Sequence, residues 1–245
     1  MEISASSVLK LLLAVIGFLL FAHVVGMFFE HALNHGTVYG LVPLFDISAE
    51  RNVPTFYSSF ALLLSAGLLA LLTRGAHRRR QPWHHWAGLA VVFLFLAVDE
   101  FTSIHERLTV PVRETLDVGG YLHYAWVIPY GLLGLVLLGV YARFLLRLPR
   151  HIALLFVVSG SIFVAGAIGM EMVGASIAEA TSRASLSYDL ASTAEELLEM
   201  LGIALFIYAL LRYASEQMGG LSISLITAAS PRQPLPTGPS RPTVS

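Results

Sequence analysis

Apolar residues gather along this chain in six stretches, about 8–29, 55–73, 84–104, 122–146, 151–174 and 193–213, with Gly, Pro, Arg and acidic residues collected between them. Each stretch is close to the roughly 20 residues that a helix needs to cross about 30 Å of hydrocarbon. The pattern predicts an all-α polytopic transmembrane helix bundle of about six spans over residues 1–218. From residue 219 to 245, Ser, Pro and Thr dominate without a hydrophobic period, which predicts a disordered cytoplasmic tail. Within that tail Pro231 to Pro242 could serve as a polyproline-type ligand, although an unstructured end is the simpler expectation.

The first stretch is expected to be a retained span rather than a signal peptide. Lys10 is the only early positive charge, the run exceeds the usual roughly 7–15 apolar residues, and no small-residue cleavage site follows it. Composition agrees with a membrane class: 56% of the 245 residues are hydrophobic, 13% are charged, and the mean hydropathy is +0.72. An ordinary soluble domain carries about 25% charged residues.

Charge adds orientation. The loop after the second span holds Arg74, Arg78, Arg79 and Arg80, the turn between the fourth and fifth holds Arg143, Arg147 and Arg150, and Arg212 closes the sixth. Cytoplasmic loops carry the excess of Lys and Arg, so both termini are expected in the cytoplasm. The opposite side then carries Arg51, Arg107, Arg113 and Arg183 against fourteen of the sixteen acids, all except Glu2 and Glu216. The net charge of −1 conceals this asymmetry and is no guide to partners. The absence of Cys excludes disulfides and thiolate metal sites. No internal repeat argues for inverted halves.

The acids concentrate at the outer ends of the spans. On a straight third helix Asp99, Thr102, Ser103 and Glu106 would lie within about 100° of one another, with Glu100 and His105 on the flanks. Glu195, Glu196 and Glu199 likewise share a face of the sixth span, and Glu171 lies near Gly166, Gly169 and Gly174, small residues that allow close helix packing. The first span contributes His23 near its middle, then Glu30, His31, Asn34 and His35. Several of these have plain structural roles. Ser192 with Glu195 matches a capping box, Glu106 with Arg107 and Arg113 suits interfacial ion pairs, and Trp83, His84, His85 and Trp86 read as an aromatic interface belt. His23 is expected to be a hydrogen-bonded packing residue, since no second mid-membrane His completes a haem site.

Together, the acids ask for more. An acid at mid-helix costs roughly 2.5–3.5 kcal/mol on insertion scales. Even at half that, six or seven converging carboxylates approach a domain's whole net stability of about 5–15 kcal/mol. Four outer arginines cannot pair with all of them, so bound cations or protons must compensate the rest. Carboxylates with one or two His and no thiol suit a divalent Zn, Mn or Fe ion, whereas an all-oxygen set suits Ca or Mg. The Glu-x-x-His spacing of di-metal carboxylate bundles is missing.

The segments Asn52 to Ser59, Leu96 to Glu106 and Glu195 to Gly202 resemble a group of bacterial multipass membrane proteins of no established activity. That resemblance spans most of residues 8–213 and implies an inner-membrane location and no chemistry. Ser103, Asp99 and His105 also superficially resemble the Ser, Asp and His of alkaline ceramidase-like membrane hydrolases. Those enzymes draw two zinc ligands from a His-x-x-x-His on a late helix, and the sixth span here has no histidine.

Three functional readings follow. The first is a metal-dependent membrane enzyme, a hydrolase or oxidase acting on a lipid-like substrate. Its catalytic candidates are Asp99, Glu100 and Ser103, and its metal-ligand candidates are His31, His105, Glu106, Glu171, Glu196 and Glu199. The second is a proton- or cation-coupled transporter in which Asp99, Glu100, Glu171 and Glu199 bind the coupling ion. The third is an accessory membrane subunit whose acidic face docks a partner. The environment expected in every case is the lipid bilayer of the cytoplasmic membrane, with a lipid-like or cationic ligand and no nucleic acid; the pattern does not define an oligomeric state.

Overall fold

Six helices are long and apolar enough to cross a membrane in the computed structural model, which describes residues 4–219; the predicted tail and its Pro231–Pro242 segment lie outside them apart from residue 219. Helix α1 covers Ala5–Leu33, and after a 3-10 turn at Val38–Gly40 the short α2 covers Leu41–Phe45. The hairpin α3 (Val53–Arg78) and α4 (His84–Thr102) follows, then a short amphipathic helix α5 (Ile104–Leu116). The fourth span is α6 (Val127–Leu145). The fifth is continuous over Arg150–Ala180, and consists of α7 (Arg150–Val164), a π-helical segment Ala165–Met170 and α8 (Glu171–Ala180). The last is α9 (Leu186–Met218).

An even number of spans brings the start of α1 and the end of α9 to the same end of the bundle. The arginine-rich turns lie at that end of the bundle with Glu216, and the other acids of the described residues lie at the opposite end. Helices α3 and α9 form the centre: 56% and 50% of their apolar windows are buried, against 11% for α6 and 17% for α4. Leu62, Leu69 and Leu72 of α3 pack with Ile203, Ile207 and Leu210 of α9 in one cluster that also takes in Ile152 and Phe156 of α7. The remaining faces, such as Leu132, Leu135 and Val136 of α6, are exposed as lipid-facing positions should be. Lipid tails are as apolar as Leu, so helix association rests on close packing and hydrogen bonds rather than on burial of apolar area. Gly166 and Gly202 supply that contact between the fifth span and α9. A Cβ on Gly166 would stand 2.6 Å from the Glu195 carbonyl oxygen, and one on Gly202 would stand 2.8 Å from the Phe163 backbone nitrogen.

Three local expectations are corrected. The sixth span begins at Leu186, where the Ser185 side chain accepts the Tyr188 amide, so Ser192 is buried inside the helix and makes no capping box with Glu195. The third span does not run straight through residue 104. Ser103 takes the left-handed conformation (φ 53°, ψ 45°), ends α4 and redirects the chain into α5. Trp86 is no belt residue: it is buried in the core against Phe144 and Tyr213, while Trp83 and His84 stack on each other with ring centroids 4.0 Å apart.

Candidate functional site

The break at Ser103 builds the acidic end. With α4 stopped one turn after Asp99, the buried Asp99 carboxylate (5% exposed) meets the first turn of the next helix. Its Oδ1 accepts the His105 backbone amide at 3.0 Å and the Tyr130 hydroxyl at 2.9 Å, and its Oδ2 lies 3.0 Å from His105 Nδ1. Asp99 therefore caps α5 from outside that helix and fixes the His105 ring. The ring packs on Trp126, centroids 4.6 Å apart, and the Trp126 indole donates to Glu171 Oε1 at 2.7 Å. Ser103 in turn donates its hydroxyl to Glu50, from the loop before α3.

Glu171 stands where it does because of the π-helical segment just before it. Such segments are rare, frequently accompany functional sites, and re-phase the helix that follows. The Glu171 carboxyl lies within hydrogen-bonding reach of that of Glu195 on α9. Glu196 and Glu199 stand at the same end of α9, and the electrostatic neighbours of both include Glu100 of α4 and Glu171. Carboxyls from α4, α8 and α9 thus gather in one acidic cluster. Among the described residues no Lys or Arg stands within ion-pair distance of Glu100, Glu171, Glu195, Glu196 or Glu199; the ion pairs present include His105 with Asp99, and Arg212 and His151 with Glu216 at the basic end. The hydroxyls of Tyr57, Ser58 and Ser59 are buried without a hydrogen-bond partner. Tyr57 shares an apolar cluster with Leu197 and Met200, and Gly75 meets Met218, so the register of α3 on α9 sets Ser58 and Ser59 at the depth of Glu199.

Of the expected site residues, Asp99, Glu100, His105, Glu171, Glu196 and Glu199 come to this end and face one another. Ser103 borders them, its hydroxyl committed to Glu50. Glu106 is exposed on α5, because the break turns it off the face it would share with Asp99 on a straight helix. His31 lies apart, 2.7 Å from Asp189 in the first turn of α9. Among the described residues no three His, Asp or Glu side chains converge closely enough to hold a metal ion. The reason is visible in the bonding: Asp99 and His105 satisfy each other, Glu106 is exposed on α5, and His31 is held by Asp189. Sequence reasoning passed over Trp126, Tyr130 and Glu50, and assigned Glu195 to a cap. The four-residue spacing of Trp126 and Tyr130, which gives one helix face two hydrogen-bond donors, was the available signal. His23 is the packing residue expected, 3% exposed, with Nε2 2.8 Å from Thr193 Oγ1 and Nδ1 accepting the Ile47 amide at 3.0 Å.

Electrostatics at the rim give a testable sign. Burial pushes the His105 ring down, but hydrogen bonding to Asp99 and the surrounding carboxylates outweigh it and hold the ring above its ordinary value. Burial, with Glu106 nearby, likewise pushes the Glu50 carboxyl up. A folded-state pKa above the unfolded one contributes stability that is complete below the unfolded value, about 6.5 for His, and is lost as pH rises through the folded value. Thermal melting in detergent should therefore show stability falling as pH is raised through neutrality, and His105→Gln should flatten that fall. An unchanged slope in the variant would remove His105 as its source.

The architecture is that of an all-α, six-span membrane protein with a carboxylate cluster at one end. The chain belongs to a family described as a domain of unknown function, DUF8692, whose model matches residues 11–213 and so takes in all six spans and every carboxyl of the cluster. No curated protein matches the chain. No solved structure matches it either.

Proposed function

We propose that the protein is a proton- or cation-coupled carrier of the cytoplasmic membrane, with the carboxylate cluster as its ion-binding site. One observation carries the reading: five carboxyls from three spans, Glu100, Glu171, Glu195, Glu196 and Glu199, converge without a Lys or Arg partner among the described residues. Buried charges are ordinarily paired, and ionisable groups within spans mark ion pathways. Protons or a bound cation are then left to balance these carboxyls, and the unpartnered Ser58 and Ser59 hydroxyls offer neutral oxygens at the same depth. The Arg-rich turns orient the basic end to the cytoplasm, so the cluster takes its ion from outside.

The enzymatic reading retains one supporting observation, the orientation of His105 by Asp99, which is the arrangement of a general base. The Ser103 hydroxyl, however, donates to Glu50 rather than to His105, so the nucleophile-to-base contact of a hydrolase is missing.

Charge displacement on a solid-supported membrane tests the carrier reading without a known substrate. The chain has no native cysteine, so a single cysteine placed at Asp117 reports which side of each proteoliposome is exposed. A jump in proton or sodium activity on the side of that label should give a protein-dependent transient current. No current with any ion, or currents of equal size from both sides, would sink the reading or its orientation.

A further inference from the structure

A cavity of about 270 Å³ opens at the acidic end between α1, the segment around α2 and the start of α9, and none of the clustered carboxyls lines it. Its wall carries charges of both signs: Glu30, Asp46 and Asp189 on one hand and Arg183 on the other, with Tyr188 beside them. Its floor is built rather than incidental. Buried His23 ties α1 to the Ile47 amide and to Thr193 of α9, and Asp46 accepts the Ser48 amide at 3.0 Å, which holds that carboxylate in place. Glu30 and Arg183 face the cavity with no ion-pair partner among the described residues, and the Arg183 guanidinium is held over the Tyr124 ring, 4.8 Å from its centroid. A cation held on an aromatic face is set in one direction and keeps its edge donors for an anion.

We propose that this cavity binds a small zwitterion in which a protonated amine lies a few bonds from a phosphate, the amine against Asp46, Asp189 and Glu30 and the phosphate against Arg183. Glu30 supplies a carboxylate without an ion-pair partner among the described residues, Asp46 and Asp189 supply the oxygens not engaged by the Ser48 amide and by His31, and one guanidinium supplies the paired donors that suit a phosphate. The volume suits a ligand of on the order of ten non-hydrogen atoms. An ethanolamine phospholipid headgroup and free phosphoethanolamine present the same groups. The inference does not depend on the ion-binding role of the cluster.

The test uses the full chain purified without ethanolamine lipids. Phosphoethanolamine titrated calorimetrically probes a soluble source, and nanodiscs containing phosphatidylethanolamine, compared with phosphatidylglycerol alone, probe the lipid. Saturable binding of the first, or a melting temperature raised only in the second, supports the site and identifies the source. Glu30→Gln and Arg183→Gln remove side chains that hold no other ion pair and so should leave the fold intact. Each should weaken binding about tenfold, the loss expected for one charge-assisted hydrogen bond, and Arg183→Gln should do so for phosphoethanolamine but not for ethanolamine. Failure of both probes, variants that bind as wild type does, or inorganic phosphate binding as tightly as phosphoethanolamine would each overturn the proposal.

Discussion

Replacing Glu196 and Glu199 together by glutamine should leave a folded protein whose melting temperature responds less to protons and cations than that of the wild type, which is stabilised by them. The two carboxyls stand one turn apart on α9 and face Glu100 and Glu171 without a basic partner among the described residues. Anything that binds the folded state and not the unfolded one stabilises it, and a proton or cation that neutralises these groups does so. Glutamine keeps the shape and hydrogen-bonding capacity and removes the charge, so only Glu100, Glu171 and Glu195 are left to neutralise. Insertion scales give roughly 2.5–3.5 kcal/mol for an acid at mid-membrane; at about half that near one end, the pair is worth about 3 kcal/mol. For a chain of this size that is roughly 6–12 °C of melting temperature. The measurement is melting in detergent across pH and across added sodium and calcium. If the double variant follows wild type in every condition, the cluster is not where the compensating ion binds.

How much of this was legible in the sequence varies from residue to residue. The six spans were, because a helix that crosses a bilayer needs about 20 apolar residues and satisfies its own backbone within the segment. The gathering of Asp99, Glu171 and Glu199 followed from the same constraint, since carboxyls must turn away from lipid. The turn at Ser103 was not. A serine in left-handed conformation is disfavoured locally, and it is held there by a contact across the turn, the His105 amide onto Asp99, and by one to a distant segment, Ser103 onto Glu50. That one break decides that Glu106 leaves the polar face and that His105 folds back, which is why a ligand set drawn on a straight helix did not assemble. Ser192 with Glu195 satisfied a capping pattern, yet the true cap lies seven residues earlier at Ser185. A local match of four residues cannot say where a helix starts when the residues before it also favour helix. The role of Trp126 was hidden because it depends on how the π-helical segment phases Glu171 toward it.

That phasing is tested most severely at the glycines. Gly202→Ala should lower stability by about 1–3 kcal/mol, the usual range for overpacking, or roughly 2–12 °C in melting temperature. The added methyl meets the Phe163 backbone nitrogen at 2.8 Å, and backbone cannot swing aside as a side-chain tip can, so α7 must move off α9. Gly166→Ala meets the Glu195 carbonyl at 2.6 Å and Glu199 Cγ at 3.1 Å, and should additionally blunt the ion response of the cluster, because the displaced strand of contacts carries Glu171 away from Glu195. The control is Gly134→Ala on α6, where nothing lies within 4 Å of the new methyl. There the only change is a better helix former, worth up to about 1 kcal/mol in the stabilising direction. Opposite signs at Gly134 and at the two contact glycines would establish that close approach, rather than glycine's flexibility, is what these positions supply. Equal and small effects at all three would mean that the fifth span and α9 do not pack as tightly as the structure has them, and the pairing of Glu171 with Glu195 would fall with that contact.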